Sequence, residues 1–339
     1  MNPKPRVLKP FTGRILQLQW FARHLQYYLF LNAKIVSKGV PLKELLVLKY
    51  PFVLPDAEKP PLLSVDITDA CNLECRYCNN PLFPYPRTMM DDGTIACLLS
   101  QVEKASLNRI RIGGGEPTLH PKFAFIMKEL ACHTKFLSIV TNCQWKNPEF
   151  GEALLRTGVD LIEISVDAGG AVMFEYSRKN ASYNLLLTNL AFLRKTRDSL
   201  KSKAVIKIRL MLRPSTRRFE KAETTFLSKY CDCVLPQWVI KHPESDYSED
   251  VFMQRSVAEN TIPVCTVPFR DLQVRPDGHI PLCPAKGCTI EKEKQQFIGN
   301  ICTDSLIDVW QCNAMREIRT AHRTRKGDVL NSCLNCHYG

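Results

Sequence analysis

At 339 residues, with 45% hydrophobic and 24% charged side chains, the sequence has the composition of a folded globular protein of one large or two smaller domains. It holds no apolar run of about 18 residues and no compact apolar N-terminal core, since Pro3, Pro5 and Pro10 interrupt the start; this leaves no candidate transmembrane helix or secretory signal. A net charge of +12 suits anionic small molecules, an acidic partner or a membrane surface, but no nucleic-acid-binding motif accompanies it, so no nucleic acid is expected.

Residues 1–60 read as an N-terminal helical extension. Its main element is a helix over 14–38, rich in Leu, Phe and Tyr and ended by Gly39-Val40-Pro41. A short helix over 42–49 precedes the proline-bounded stretch 51–61. These helices are expected to cap the domain core; the alternative is a basic amphipathic helix resting on a membrane surface or a partner.

From 61 to 240 short apolar runs alternate with helical stretches. Strands are predicted at Leu62–Ile67, Arg109–Ile112, Phe136–Thr141, Leu161–Val166, Val205–Leu212 and Cys233–Val239. Helices are predicted at Asp91–Ala105, Pro121–His133, Pro148–Thr157 and Tyr183–Arg197. Strand–helix repetition at this spacing implies right-handed crossovers and a parallel sheet. Six such units make an α/β partial barrel, open on one side, with ligands at the carboxyl ends of the strands.

The first strand runs into Cys71-Asn72-Leu73-Glu74-Cys75-Arg76-Tyr77-Cys78. Three thiolates on one loop are soft ligands that suit zinc or an iron–sulfur cluster. A structural zinc wants a fourth ligand, and none follows closely. A disulfide or zinc knuckle remains the alternative at this point. Gly113-Gly114-Gly115-Glu116-Pro117 follows the second strand, where glycines let the backbone approach a ligand. Thr141-Asn142-Cys143 ends the third strand, and Ser165-Val166-Asp167 ends the fourth with its two polar side chains on one face. Arg209 lies mid-strand between Lys207 and Met211. Cys97, Cys132 and Cys231 read as core thiols.

Residues 241–262 read as a linker. Seven of the fifteen cysteines follow, in a segment expected to form a separate small unit over 263–339. Without an export signal, the cysteines fit metal ligands and core thiols of a reducing cytoplasm rather than disulfides. Pro276-Asp277-Gly278 signals a tight turn, with Cys265 before the predicted hairpin and Cys283 after it. Cys333-Leu334-Asn335-Cys336 forms a metal knuckle. Cys265, Cys283, Cys333 and Cys336 together suffice for a 4Fe–4S cluster or a zinc, and Cys288 or Cys302 is an alternative to one of them.

The Cys-x3-Cys-x2-Cys loop with Tyr77, the Gly-Gly-Glu-Pro turn and the Ser-x-Asp segment, in that order, resemble the radical S-adenosylmethionine (SAM) enzymes. The C-terminal cysteine unit resembles their SPASM and twitch extensions through Cys265, Gly278 to Cys283, Gly299, Leu306, Trp310 and Arg319. The shorter twitch form, with one auxiliary 4Fe–4S cluster, is expected because no further cysteine pattern follows the knuckle before Gly339. The resemblance implies that Cys71, Cys75 and Cys78 hold a 4Fe–4S cluster whose open iron chelates SAM. Tyr77 would then help seat the adenine, Gly114, Gly115 and Glu116 the methionine end, and Ser165 and Asp167 the ribose or methionine end. Arg209 would take the SAM carboxylate or a substrate anion, and Cys143 is a candidate hydrogen-atom donor. Flavodoxin or ferredoxin is the expected reductant. The expected activity is cleavage of SAM to a 5′-deoxyadenosyl radical that abstracts a substrate hydrogen, oxidising or epimerising a small molecule such as a sugar or cyclitol. The alternatives are maturation of a ribosomally made precursor peptide and a metal-stabilised binding protein without catalysis.

Overall fold

The computed structural model describes residues 29–49, 55–78, 80–82, 87–239, 265–284 and 296–333, together with Leu25 and Phe52. The expected linker, Cys288, Cys336 and most of the predicted 14–38 helix lie outside the described residues. The strands in chain order are β1 (Leu62–Thr68), β2 (Glu74–Cys75), β3 (Arg109–Gly114), β4 (Phe136–Thr141), β5 (Leu161–Asp167) and β6 (Arg178–Lys179). They continue with β7 (Val205–Leu212), β8 (Cys233–Trp238), β9 (Asp271–Val274), β10 (His279–Pro281) and β11 (Phe297–Asn300).

The principal sheet has the order β8-β7-β5-β4-β3-β1-β9, and every adjacent pair in it is parallel. All six strands expected from the sequence form. The seventh, β9, comes from beyond the expected linker and pairs Leu62 with Asp271 through Val65 with Val274. The Pro-Asp-Gly turn does close, with Arg275 N–H donating to the His279 carbonyl at 2.9 Å. Its two flanks do not form the expected two-stranded hairpin, however: β9 joins the barrel sheet, and β10 pairs instead with β11. The C-terminal cysteine segment therefore completes the edge of the barrel.

Strand alternation separates two environments. Leu63, Val65 and Ile67 of β1, Ile110 and Ile112 of β3, Ile162, Ile164 and Val166 of β5, and Ile206, Ile208 and Leu210 of β7 are all fully buried. They pack under the surrounding helices, against Ile95, Leu98 and Val102 of the helix Asp92–Ala105, Ile126 and Leu130 of Phe123–His133, and Leu186, Leu190 and Leu193 of Tyr183–Ser199. Two of these helices start on side-chain caps: Asp91 accepts from Thr94 N–H, and Ser182 accepts from Leu185 N–H. The opposite, concave face is polar, with Ser64, Asp66, Arg111, Ser138, Glu163, Lys207 and Arg209 in register across neighbouring strands. A closed eight-stranded barrel fills its interior with branched apolar side chains; this one has a charged lumen.

The lumen is closed at the amino-terminal end of the strands. Residues 29–37 are helical, and the helix Leu42–Lys49 follows. Ile35, Val40 and Leu45 pack on Phe136, Leu161 and Val205, the first lumen-side positions of β4, β5 and β7. The N-terminal extension is a plug, in line with the capping role expected for it. Its far side leaves Leu29, Phe30 and Val36 exposed. Among the described residues no helix is long and apolar enough to cross a membrane.

Replacing the fully buried Ile35 by Ala should cost about 2–4 kcal/mol of unfolding free energy, read from urea denaturation of the full chain; a loss under about 0.5 kcal/mol would show that the plug contributes nothing to the core. Asp66 supplies a pH test. Burial raises its carboxyl from 3.8 to about 6 despite Arg275 and the Gln273 amide beside it. The folded state therefore binds the proton more tightly than the unfolded chain, and stability contributed below pH 4 is lost as pH rises through 6. That loss is about 2–3 kcal/mol for the wild type. Asp66→Asn should remove it, giving a flatter profile of stability against pH between 4 and 8.

Candidate active site and cluster loop

The cysteine loop hangs from the carboxyl end of β1 and is tied to each neighbouring strand end in turn. Toward β3, Gly115 N–H donates to the Thr68 carbonyl at 2.9 Å and Glu116 N–H to the Ala70 carbonyl at 2.7 Å. A Cβ on Gly115 would lie 2.1 Å from the Ala70 oxygen, and one on Gly114, whose φ is +104°, 2.3 Å from the Thr68 oxygen. Both positions therefore demand glycine. The glycines thus approach the backbone at the base of the cysteine loop, a contact that the sequence reading, which had them approach a ligand, did not include.

Glu116 is 1% exposed and serves the same junction. Its carboxylate accepts from Thr118 Oγ at 2.6 Å, Thr141 Oγ at 2.7 Å and Asn142 N–H at 2.7 Å, joining the glycine turn to the end of β4. Burial pushes its pKa up, opposed by these hydrogen bonds. Asn142 carries the tie onward: its Nδ2 donates to Asn72 Oδ1 at 2.8 Å and lies 4.0 Å from Cys71 Sγ. Asn72 in turn donates to the Gln144 carbonyl at 3.2 Å.

On the other flank, β2 pairs with β6, setting Cys75 opposite Arg178. Tyr77 Oη donates to Asp167 Oδ2 at 3.0 Å. Arg178 Nε reaches the same oxygen at 2.5 Å, and Arg213 Nη2 reaches Oδ1 at 2.6 Å. Asp167 and Arg213 are wholly buried, and Arg178 is 5% exposed. Asp167, expected to face SAM, instead sits as the shared counter-ion of two arginines beneath the loop.

The three thiols respond to one another and to a common cation. Burial raises Cys71 to about 11 and Cys75 to about 12, and raises Cys78 as well, while Arg178 acts in the opposite direction on all three. Such thiols stay protonated until a metal supplies positive charge. Among the described residues no three His, Cys, Asp or Glu converge as a single metal ion requires. A 4Fe–4S cluster does not need that convergence, because each thiolate binds a different iron, so three soft donors on one loop beside a buried guanidinium fit it.

The remaining sequence candidates divide. Ser165 and Arg209 face each other across β5 and β7, one residue pair deeper in the lumen than Asp167 and Met211. Arg209 donates through Nε and Nη2 to Gln237 Oε1 at 3.1 and 2.9 Å, with Glu163 at 3.9 Å. Cys143 takes the left-handed conformation, φ 58°, that a glycine would take at this turn. Its thiol is fully buried in the main core, not at the mouth of the site, and burial and Glu116 raise its pKa further. On the C-terminal side, Cys265 precedes the helix Val267–Arg270, and Cys283 follows β10. Cys333 is buried with its Sγ 3.8 Å from His322 Nε2. Trp310 and Arg319 lock this segment to the barrel: the indole donates to the Ala57 carbonyl at 2.7 Å, and the guanidinium stacks on it at 3.9 Å and donates to the Pro268 carbonyl at 2.8 Å.

Sequence reasoning missed Arg178, Arg213 and Asn72. An isolated arginine carries no motif; only the β2–β6 pairing brings Arg178 to the thiols. Replacing Asp167 by Asn leaves two buried guanidiniums without their counter-charge and should cost about 3–5 kcal/mol in chemical denaturation. A variant as stable as the wild type would show that the arginines are solvated instead.

Two family models match the chain: the radical SAM superfamily over residues 65–206, and an iron–sulfur cluster-binding domain, SPASM, over residues 265–337. Curated relatives include a tungsten-containing aldehyde ferredoxin oxidoreductase cofactor-modifying protein of Pyrococcus furiosus, 35% identical over 107 residues, or 31% of this chain and 30% of that protein. A GTP 3′,8-cyclase of Limosilactobacillus fermentum is 29% identical over 133 residues, 38% of this chain and 40% of that enzyme. A mycofactocin maturase of Mycobacterium tuberculosis is 26% identical over 137 residues, 40% of this chain and 35% of that protein. The chain thus spans only 30–40% of the length of these curated relatives. Among solved structures, anSMEcpe with bound AdoMet and a peptide aligns with a TM-score of 0.57 at 15% identity, covering 81% of this chain and 88% of that one. Streptococcus suis SuiB bound to S-adenosylmethionine aligns with a TM-score of 0.55 at 14% identity, covering 78% and 68%. These two likenesses establish the fold. Together with the cysteine loop, the glycine turn and the parallel partial barrel, the two family matches identify residues 65–206 as a radical SAM domain and residues 265–337 as a SPASM-type iron–sulfur cluster-binding domain.

Proposed function

We propose that the protein is a radical SAM enzyme acting on a small polar molecule held in its blind-ended lumen, with Cys71, Cys75 and Cys78 holding the SAM-binding 4Fe–4S cluster. The observation that carries this reading is the cysteine loop itself: three thiols under the influence of one buried cation, on a loop fixed to the ends of β3, β4 and β5. The family's cofactors are this cluster, SAM and an auxiliary iron–sulfur cluster in the SPASM domain. When bound, the first cluster supplies the electron that cleaves SAM and so generates a 5′-deoxyadenosyl radical able to abstract a substrate hydrogen.

The chain's own residues do the positioning. Gly114, Gly115 and Glu116 set the loop at the mouth of the barrel and line the side on which the methionine end of SAM is expected. Asp167, through Arg178 and the Tyr77 hydroxyl, fixes the opposite side. The plug of Ile35, Val40 and Leu45 keeps water from entering below. Cys265, Cys283, Cys333 and Cys336 are assigned to the auxiliary cluster, and flavodoxin or ferredoxin to delivery of the electron. The buried position of Cys143 favours a packing role over hydrogen donation. A substrate oxidised or epimerised in a closed polar chamber fits a small molecule. A precursor peptide is the second reading, favoured by the mycofactocin maturase among the relatives and by SuiB, solved with its precursor peptide SuiA.

Anaerobically reconstituted protein should bind about eight irons and release 5′-deoxyadenosine from SAM under dithionite. Changing Cys71, Cys75 and Cys78 together to Ala should abolish cleavage and leave about four irons on the C-terminal cysteines. Protein that takes up zinc alone, or a triple variant that still cleaves SAM, would sink the reading.

A further inference from the structure

The middle of the lumen is lined by four cationic side chains that are unequally paired. Arg109 and Arg111 of β3 and Lys207 and Arg209 of β7 share this face with Glu163 of β5, Asp271 of β9 and Asp66 of β1, while Glu44 of the helix Leu42–Lys49 acts on Arg109. Asp66 is engaged by the Gln273 amide, at 2.6 Å, and by the charges of Arg275 and Arg111.

Glu163 and Asp271 are already engaged. Glu163 lies 2.7 Å from Lys207 Nζ, and Asp271 lies 3.1 Å from Arg111 Nη2 while also accepting from Ser64 Oγ at 2.7 Å. Arg209 gets only a neutral amide oxygen, Gln237 Oε1, and the distant edge of Glu163. Its side chain keeps 30% of its surface open, and that of Arg111 keeps 36%. Below them, Nε and Nη1 of Arg109 are buried with no hydrogen-bond partner. Burial and the neighbouring Arg111 push the Arg109 pKa down to about 10. Buried charge is costly unless something compensates it. A guanidinium fork is matched by the paired oxygens of a carboxylate or phosphate.

We infer that the substrate carries an anionic oxygen group, carboxylate or phosphate, which enters the lumen from the cysteine-loop end and is bound by Arg209, with Arg111 on the facing strand. This deepens the proposed function and rests on its reading of the lumen as the substrate chamber. Arg209 thereby becomes a specificity residue, deeper than the SAM end of the site, and the cationic layer selects against neutral analogues of the same shape.

The test is equilibrium dialysis of pyrophosphate and, separately, malonate against reconstituted protein with saturating SAM; the two probes distinguish a phosphate from a carboxylate substrate. One of them should bind saturably with unit stoichiometry. Arg209→Gln should weaken that binding about tenfold or more, Arg209→Lys should retain part of it, and Arg156→Gln on the exposed helix Phe150–Arg156 should leave it unchanged. If Arg209→Gln does not fold, the Arg209→Lys variant and the effect of SAM on the wild type decide. Absence of saturable binding by either anion, equal loss in the Arg156 variant, or abolition of binding by SAM would overturn the inference, the last by assigning Arg209 to the SAM carboxylate. Release of 5′-deoxyadenosine from the same wild-type preparation is scored separately. Protein that cleaves SAM but binds neither anion removes this inference alone; protein that binds an anion but cleaves no SAM removes the functional reading instead.

Discussion

The carboxylate of Asp167 is the constraint on which the site depends. It lies at the last residue of β5, wholly buried, and receives Arg178, Arg213 and the Tyr77 hydroxyl. Those partners come from three places: the short strand β6, the turn after β7 and the cysteine loop. A charged group buried without partners is strongly disfavoured, so each partner is held by the need of the others. Arg178 is thereby fixed beside the thiols, where its charge offsets part of the desolvation that otherwise keeps them protonated. The carboxylate tunes the loop without touching a sulfur.

On the other flank the loop is held by backbone rather than by charge. The contact of Gly114 and Gly115 with Thr68 and Ala70 admits no side chain, and Glu116 extends the same junction to β4. The loop is thus gripped by an ionic cluster on one side and by tight main-chain packing on the other. Between the two lies a lumen lined with charge and stopped below by an apolar plug. Outer and inner faces of each strand do opposite work: the outer face supplies the hydrophobic core, and the inner face supplies chemistry.

Much of this was legible in the sequence. The alternation of short apolar runs and helical stretches gave six parallel strands at nearly their observed limits, because the face of each strand that packs under the helices needs a row of Ile, Leu and Val. The cysteine spacing and the glycine turn marked the site because both are local. What stayed hidden was long-range. Arg178 and Arg213 gain meaning only through Asp167. The glycines proved to contact the chain itself. β9 looked like one arm of a hairpin, since Asp271–Val274 beside Pro-Asp-Gly satisfies the local turn rule, and nothing local announces that β1 offers it a parallel partner. Cys143 shows the same limit. A cysteine in a glycine-like conformation is readable only once φ is known, and its full burial only once the helices are packed around it.

The pairing of β9 with β1 also bears on assembly. The strand that carries the reactive loop has β3 on one flank from early in the chain, but its other flank is covered only when Asp271–Val274 arrives. Contacts between such distant segments form late, because the intervening chain must first be ordered. Until then β1 is an open edge with unpaired main-chain donors and acceptors, a surface prone to mispairing. During synthesis the cysteine loop emerges long before β9, so the loop is expected to reach its final setting only once Asp271–Val274 has paired with β1. Maturation of the two cysteine centres is therefore expected to be coupled through this strand.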